Sequence, residues 1–133
     1  LPQDKDLIAR QYGVTDGNVF ASWLRGMNYL RNICAHHSRL WNANIVDQPQ
    51  LSSKSYSPYW LGVFVDKNTG LNNHKTSRVA PLLYILKQLV EEVSPKSTWP
   101  SRLTEHLESF PDVKHLGIDY ASMGFDKELK DWE

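Results

Sequence analysis

The chain has 133 residues, of which 41% are hydrophobic and 23% charged, a composition typical of one globular domain with its own core. Its 15 lysines and arginines balance 15 aspartates and glutamates, which argues against a protein that binds nucleic acid through bulk charge alone. No run of about 18 apolar residues occurs, so we expect no membrane-spanning segment.

The charge is unevenly distributed along the chain. Residues 1–100 contain 11 basic and 7 acidic residues, whereas residues 101–133 contain 4 and 8. A mildly basic body with an acidic end can still concentrate positive potential in one cleft.

The first residues and the single cysteine bear on the protein's setting. Leu1-Pro2-Gln3-Asp4-Lys5 contains neither a methionine nor the basic and apolar regions of a signal peptide, so we expect the C-terminal part of a longer protein. Cys34 is the only cysteine, which rules out an intrachain disulfide and fits a reducing cytoplasm.

Two helices are predicted in the first third of the chain. The first covers about 4–12, with Gly13 as its stop, and a turn with capping residues follows at 15–18. The second covers about 19–41, because its apolar residues recur at spacings of three and four. These residues are Val19, Phe20, Trp23, Leu24, Met27, Leu30, Cys34 and Trp41.

The central connection, 42–75, is rich in Asn, Ser, Pro and Gly. Within it, 59–65 is compatible with a short strand or with one or two helical turns. A third helix is predicted at about 78–93, with Pro81 in its first turn, and a fourth at about 100–110. A helical turn at 113–116 precedes a weakly structured end. The predicted fold class is therefore all-α: an antiparallel bundle of two long and two or three short helices with a long central connection.

The residues best suited to catalysis or ligand binding are Arg31-Asn32-Ile33-Cys34-Ala35-His36, inside the second predicted helix. On an α-helix, Arg31 and His36 point about 140° apart, whereas Asn32 and His36 share a face. A second element, either another helix or a second copy of this one, is therefore needed to complete a site. Cys34 is expected to be a small core residue rather than a metal ligand.

These side chains suit phosphate chemistry on RNA. Arginine offers a permanent charge and a planar fork of donors to phosphate, and histidine transfers protons near neutral pH. RNA carries its own nucleophile, the 2′-hydroxyl, so an arginine and a histidine can supply the remaining chemistry that its cleavage requires. The hexapeptide contains no carboxylate, and we expect neither a metal ion nor another cofactor.

Residues 30–42 read Leu-Arg-Asn-Ile-Cys-Ala-His-His-Ser-Arg-Leu-Trp-Asn, with Trp23-Leu24 before them. This run resembles the signature of the Abi-like abortive-infection proteins of bacteria, of the AbiD/AbiF type, which belong to the HEPN superfamily. The residue pairs Asp4-Lys5, Ile8-Ala9 and Tyr12-Gly13, and the run at 122–125, are also similar to that family.

The resemblance implies that residues 1–133 form a single HEPN-like helical domain, often dimeric, with a metal-independent RNase role in phage defence. It implies RNA as the partner, a homodimer as the assembly, and Arg31 and His36 as the catalytic pair. Asn32 matches the polar residue that follows the arginine. His37 and Arg39 are expected to support the site or to contact RNA. The alternative is a non-catalytic module that binds RNA or a protein partner.

Overall fold

The computed structural model describes residues 1–51, 64, 68–69, 71 and 73–125, and in these ranges the protein is helical, with no β-strand. The all-α prediction is confirmed. Four α-helices follow one another along the chain: α1 at Pro2–Arg10, α2 at Gly17–Ala35, α3 at Ala80–Val93 and α4 at Trp99–Glu108. Short 3-10 helices lie at His74–Ser77, Lys114–Leu116 and Tyr120–Met123.

The start of α2 is fixed by a side-chain cap and by contact with α1. Asp16 is the N-cap, and its Oδ1 accepts hydrogen bonds from the backbone N–H groups of Asn18 at 2.7 Å and Val19 at 3.2 Å. The backbone N–H of Gly17 donates to Asp6 Oδ1 at 2.7 Å. A Cβ at Gly17 would lie 2.7 Å from the carbonyl carbon of Lys5, so only glycine allows this approach. The capping turn predicted at 15–18 is confirmed.

The end of α2 differs from the prediction, because the helix stops at Ala35 and does not continue to 41. The N–H of His37 donates to the carbonyl of Cys34 at 3.2 Å, and that of Ser38 to the carbonyl of Ile33 at 3.1 Å. This pair of bonds is the Schellman motif, and His37, with φ of 51°, occupies its left-handed position. The chain therefore turns away from the helix axis within residues 31–42, which we call the Arg31–Asn42 motif.

The early stop also corrects the expected position of Cys34. We predicted a small core residue, but Cys34 is exposed, as are all residues from 35 to 39. Apolar spacing continues through Leu40 and Trp41, but these residues lie beyond the helix and are half-buried.

After the turn, residues 42–51 return along α2 and are held on both sides, and we call them the 42–51 segment. Ser22 Oγ accepts from the backbone N–H of Gln50 at 2.9 Å, and Trp23 Nε1 donates to the Gln50 carbonyl at 2.9 Å. The N–H of Ile45 donates to the Ser77 carbonyl at 2.7 Å. The segment thus joins α2 to the residues that precede α3.

The second half of the chain places its helices close to their predicted positions. α3 starts at Ala80, with Pro81 in its first turn, and α4 starts at Trp99. The Tyr120 hydroxyl donates to the Leu107 carbonyl at 2.7 Å, which fixes the C-terminal 3-10 helix against α4. The sequence of residues 59–65 allowed either a short strand or one or two helical turns. Except for Phe64, these residues lie outside the described residues.

The packing order follows the chain. α2 contacts α1 on one side and α3 on the other, and α4 contacts α3. The antiparallel bundle topology stays a prediction. None of the helices in the described ranges combines the length and apolarity that a membrane crossing demands. The fully buried large side chains of the core include Trp23, Ile45, Phe64, Leu82 and Ile85.

Candidate functional site

Helix α2 has two faces of different composition. The buried face packs against the core and consists mainly of Val19, Phe20, Ser22, Trp23, Gly26 and Leu30. With about 100° between successive residues, positions 24, 25, 28, 31, 32, 35 and 36 lie within about 140° of one another, roughly opposite the buried face. We call this set the exposed face of α2; it consists of Leu24, Arg25, Asn28, Arg31, Asn32, Ala35 and the capping residue His36.

Arg31 lies on this face and its side chain is exposed. Its Nη1 donates to the side-chain Oδ1 of Asn32 at 2.7 Å. The bond occupies one of the five N–H donors of the guanidinium, which leaves the others available to a phosphate. Asn32, which is partly buried, thus steadies the arginine without neutralising its charge.

His36 is the C-cap of α2, and its backbone N–H donates to the Asn32 carbonyl at 3.1 Å. Its side chain is exposed, and no residue in the described ranges hydrogen-bonds to the imidazole. Both ring nitrogens can therefore exchange protons with a ligand. On an ideal helix, positions 31 and 36 lie about 140° apart around the axis.

His37 and Arg39 belong to the turn after the helix, and both are exposed. Because His37 adopts the left-handed conformation, it redirects the chain at the end of the helix. Arg39 lies beyond the Schellman motif. The structure therefore places all five predicted residues at one end of α2, and a side-chain hydrogen bond joins Arg31 to Asn32.

The electrostatics of this region follow from the absence of acids in its sequence. Between Asp16 and Asp47 the chain contains no aspartate or glutamate but has Arg25, Arg31 and Arg39. None of these three arginines forms an ion pair with any residue that the structure describes. Their charges are therefore unneutralised, and all three side chains are exposed. Residues 17–46 contain these three arginines and no acid, which gives the segment a net charge of +3.

One residue that sequence reasoning missed holds the far end of the motif. Arg78 Nη1 donates to the carbonyl oxygen of Asn42 at 2.8 Å. The two residues are 36 positions apart, and no spacing pattern links them. The bond ties the motif to the residues that precede α3, so the turn after His36 is held at both ends.

The described residues form a concavity away from this helix end but no metal site. No group of three or more His, Cys, Asp or Glu side chains in those ranges is arranged to hold a metal ion. A concavity of about 560 Å³ lies between the N-terminal ends of α1 and α2 and is lined in part by Lys5, Asp6 and Asp16. It is roughly 20 Å along the helix from Arg31, at 1.5 Å per residue.

The described residues form an all-α fold in which the C-terminal end of α2 carries Arg31, Asn32 and His36, followed by His37 and Arg39 in the turn. Residues 1–42 match the family model described as Abi-like protein. The match covers α1, α2 and the whole Arg31–Asn42 motif. No curated protein and no solved structure matches the chain.

Proposed function

We propose that the protein is an Abi-like phage-defence protein of the HEPN superfamily and cleaves RNA without a metal ion at the C-terminal end of α2. The observation that carries the proposal is the exposure of Arg31 and His36 at that helix end. The family match over residues 1–42 supports the assignment to abortive infection. A polar pair buried for packing alone would have been sealed from solvent.

In this proposal Arg31 binds the scissile phosphate. Its guanidinium donates to the non-bridging oxygens and stabilises the extra negative charge that develops when the phosphorus becomes five-coordinate. Asn32 keeps the guanidinium in position through the 2.7 Å hydrogen bond. Arg39 contacts the RNA backbone outside the reacting group.

His36 transfers the proton. Its neutral imidazole accepts the proton of the ribose 2′-hydroxyl, whose oxygen attacks the adjacent phosphorus, and the bond to the 5′-oxygen of the next nucleotide breaks. That oxygen takes a proton from an imidazolium and leaves as a hydroxyl. The products are a 2′,3′-cyclic phosphate and a 5′-hydroxyl end, and the proton count is unchanged.

A second copy of the chain completes the site. Arg31 and His36 point about 140° apart on one helix, so one phosphate is reached more readily by Arg31 of one copy and His36 of the other.

The test is an RNA cleavage assay in the presence of EDTA, comparing wild type with Arg31→Ala and His36→Ala. The matched controls are Arg102→Ala and His106→Ala, which remove an exposed arginine and an exposed histidine from α4. We expect wild type and both controls to yield 2′,3′-cyclic phosphate ends and both site variants to be inactive. Cleavage that disappears with EDTA, or that survives both site substitutions, rejects the mechanism.

A second candidate function is RNA binding without catalysis. It is favoured by one observation: Arg31 bonds to Asn32 and not to His36, so the two proposed catalytic groups do not meet within one chain. In that case Arg31→Ala weakens RNA binding, His36→Ala leaves it unchanged, and no cleavage product forms with wild type.

A further inference from the structure

The exposed face of α2 extends well beyond the proposed reaction centre, and its other end carries Arg25. Counting 100° per residue, Arg25, Asn32 and His36 lie within about 20° of one line along the helix. Arg25 is eleven residues before His36, which places it about 16 Å away along the axis at 1.5 Å per residue. Arg25 is thus aligned with the proton-transfer residue but too distant to touch the same phosphate.

The structure gives Arg25 no role in folding. Its side chain is exposed, and it makes no hydrogen bond or ion pair to the described residues. Its neighbour Gly26 points about 100° away around the helix and lies on the buried face, where a Cβ would lie 2.6 Å from Leu82 Cδ2 in the contact with α3. Because that contact fixes the rotation of α2, Arg25 is directed to solvent together with the rest of the exposed face.

The residues between Arg25 and His36 on this face suit a nucleic acid strand. Asn28 and Asn32 each offer both a donor and an acceptor, which fit ribose hydroxyls and base edges. No carboxylate lies in the sequence from 17 to 46 to repel phosphates. The face therefore presents a cation at each end, Arg25 and the Arg31–His36 region, with amides between them.

Building on the proposed function, we propose that Arg25 binds a backbone phosphate of the RNA several nucleotides from the scissile one, so that a single strand runs along the exposed face of α2. Arg25 is a substrate-binding residue in this arrangement and takes no part in proton transfer. Contact with phosphate carries no sequence information, so its contribution is the same for RNAs of different sequence.

The experiment measures binding of two single-stranded RNAs of about twelve nucleotides and different sequence, a length within known single-strand site sizes. The whole chain carries His36→Ala to prevent turnover. Arg25→Gln, Arg25→Lys, Arg31→Gln and the matched control Arg102→Gln are compared over a range of salt concentrations, and thermal unfolding verifies that each variant folds.

For Arg25→Gln we expect the slope of log affinity against log salt to fall by about 0.7, and affinity near 0.1 M salt to fall about five-fold, for both RNAs. Arg25→Lys keeps the charge and restores most of the slope, and Arg102→Gln matches the parent. If Arg25→Gln behaves like Arg102→Gln while Arg31→Gln weakens binding, this inference is wrong and the proposed function stands. A loss that leaves the salt slope unchanged, or that depends on RNA sequence, also overturns it. If Arg31→Gln also leaves RNA binding unchanged, the result counts against the proposed function.

Discussion

Arg31 and Asn32 are neighbours in the chain whose side chains meet, with the guanidinium Nη1 2.7 Å from the amide Oδ1. Adjacent residues on a helix point about 100° apart, so this contact requires the long arginine side chain to bend towards the amide. The bend moves the charge of Arg31 towards the side of the helix on which His36 lies. Asn32 is thus coupled to the guanidinium of Arg31, which it holds in position in the proposed site.

Asn32→Asp tests this coupling, because a carboxylate in the same position would neutralise the guanidinium. We expect RNA affinity near 0.1 M salt to fall about ten-fold or more, since the change adds a negative charge and removes the effect of a positive one. Asn32→Ala loses the hydrogen bond but keeps the charge, and its loss is expected to stay below about three-fold. Fluorescence anisotropy with labelled RNA measures both. Equal losses for the two variants would show that Asn32 does not act through Arg31.

His37→Gly is expected to stabilise the protein. His37 has φ of 51°, and an L-residue in this region is strained, whereas glycine adopts it freely. We expect the free energy of unfolding to rise by up to about 1 kcal/mol. Denaturant unfolding measures this, with His37→Val as the contrasting variant, which should destabilise because its branched side chain tolerates positive φ poorly. A destabilised glycine variant together with an unchanged valine variant contradicts the Schellman ending of α2.

Gly17→Ala is expected to destabilise the contact between α1 and α2. A Cβ there would lie 2.7 Å from the Lys5 carbonyl carbon and 2.9 Å from the Asp6 nitrogen, and backbone atoms cannot move aside cheaply. We expect a loss of roughly 1–3 kcal/mol in the free energy of unfolding, the usual cost of overpacking. Gly26→Ala is the contrasting variant, because its Cβ would meet a side-chain atom, Leu82 Cδ2 at 2.6 Å, with no backbone atom closer than 3.4 Å, and should cost less. Equal losses for the two glycines would contradict the packing of α1 on α2.

Tyr120 provides a prediction at alkaline pH. Burial, and then the negative charge of Glu108, raise the pKa of the Tyr120 hydroxyl above its ordinary value of 10.0. The folded state thus favours the neutral form, and the stabilisation is complete below pH 10 and is lost as pH rises further. At neutral pH, Tyr120→Phe should cost about 1 kcal/mol, because the hydrogen bond to Leu107 is lost.

The measurement for Tyr120 is the free energy of unfolding of wild type and Tyr120→Phe as a function of pH. We expect the difference between them to shrink above pH 10, since only wild type loses stability through this group. Tyr29→Phe is the control for the hydrogen bond, because the Tyr29 hydroxyl lies 3.4 Å from the Asn44 carbonyl and its loss should cost less. A difference that is constant through the alkaline range would contradict the raised pKa.

The sequence was sufficient to locate helices wherever local signals agreed. Apolar spacing, the Asp16 cap and Pro81 in a first turn placed the starts of α1 to α4 within a few residues. The end of α2 was missed because no glycine or proline marks it, and because Leu40 and Trp41 continue the helical spacing of Cys34. A left-handed histidine ends the helix instead, and single-residue patterns carry little information about such an ending.

The candidate site was predicted in its residues but not in its surroundings. Arg31, Asn32 and His36 were identified by their chemistry, but the exposure of Arg31 and His36 and the partial burial of Asn32 could not be derived from spacing alone. The bond from Arg78 to Asn42 joins residues far apart in the chain and depends on how the 42–51 segment folds back over α2. Contacts of this kind arise from tertiary packing and leave no periodic signal.

In the proposed function, two copies of the chain form the reaction centre together, with Arg31 from one copy and His36 from the other. The most direct measurement mixes the inactive Arg31→Ala and His36→Ala variants, allows subunits to exchange, and measures RNA cleavage in EDTA. Each mixed dimer contains one site with both residues intact, so we predict recovery of about a quarter of wild-type activity at equal concentrations. A mixture as inactive as its two components, beside an active wild type, would contradict a shared site.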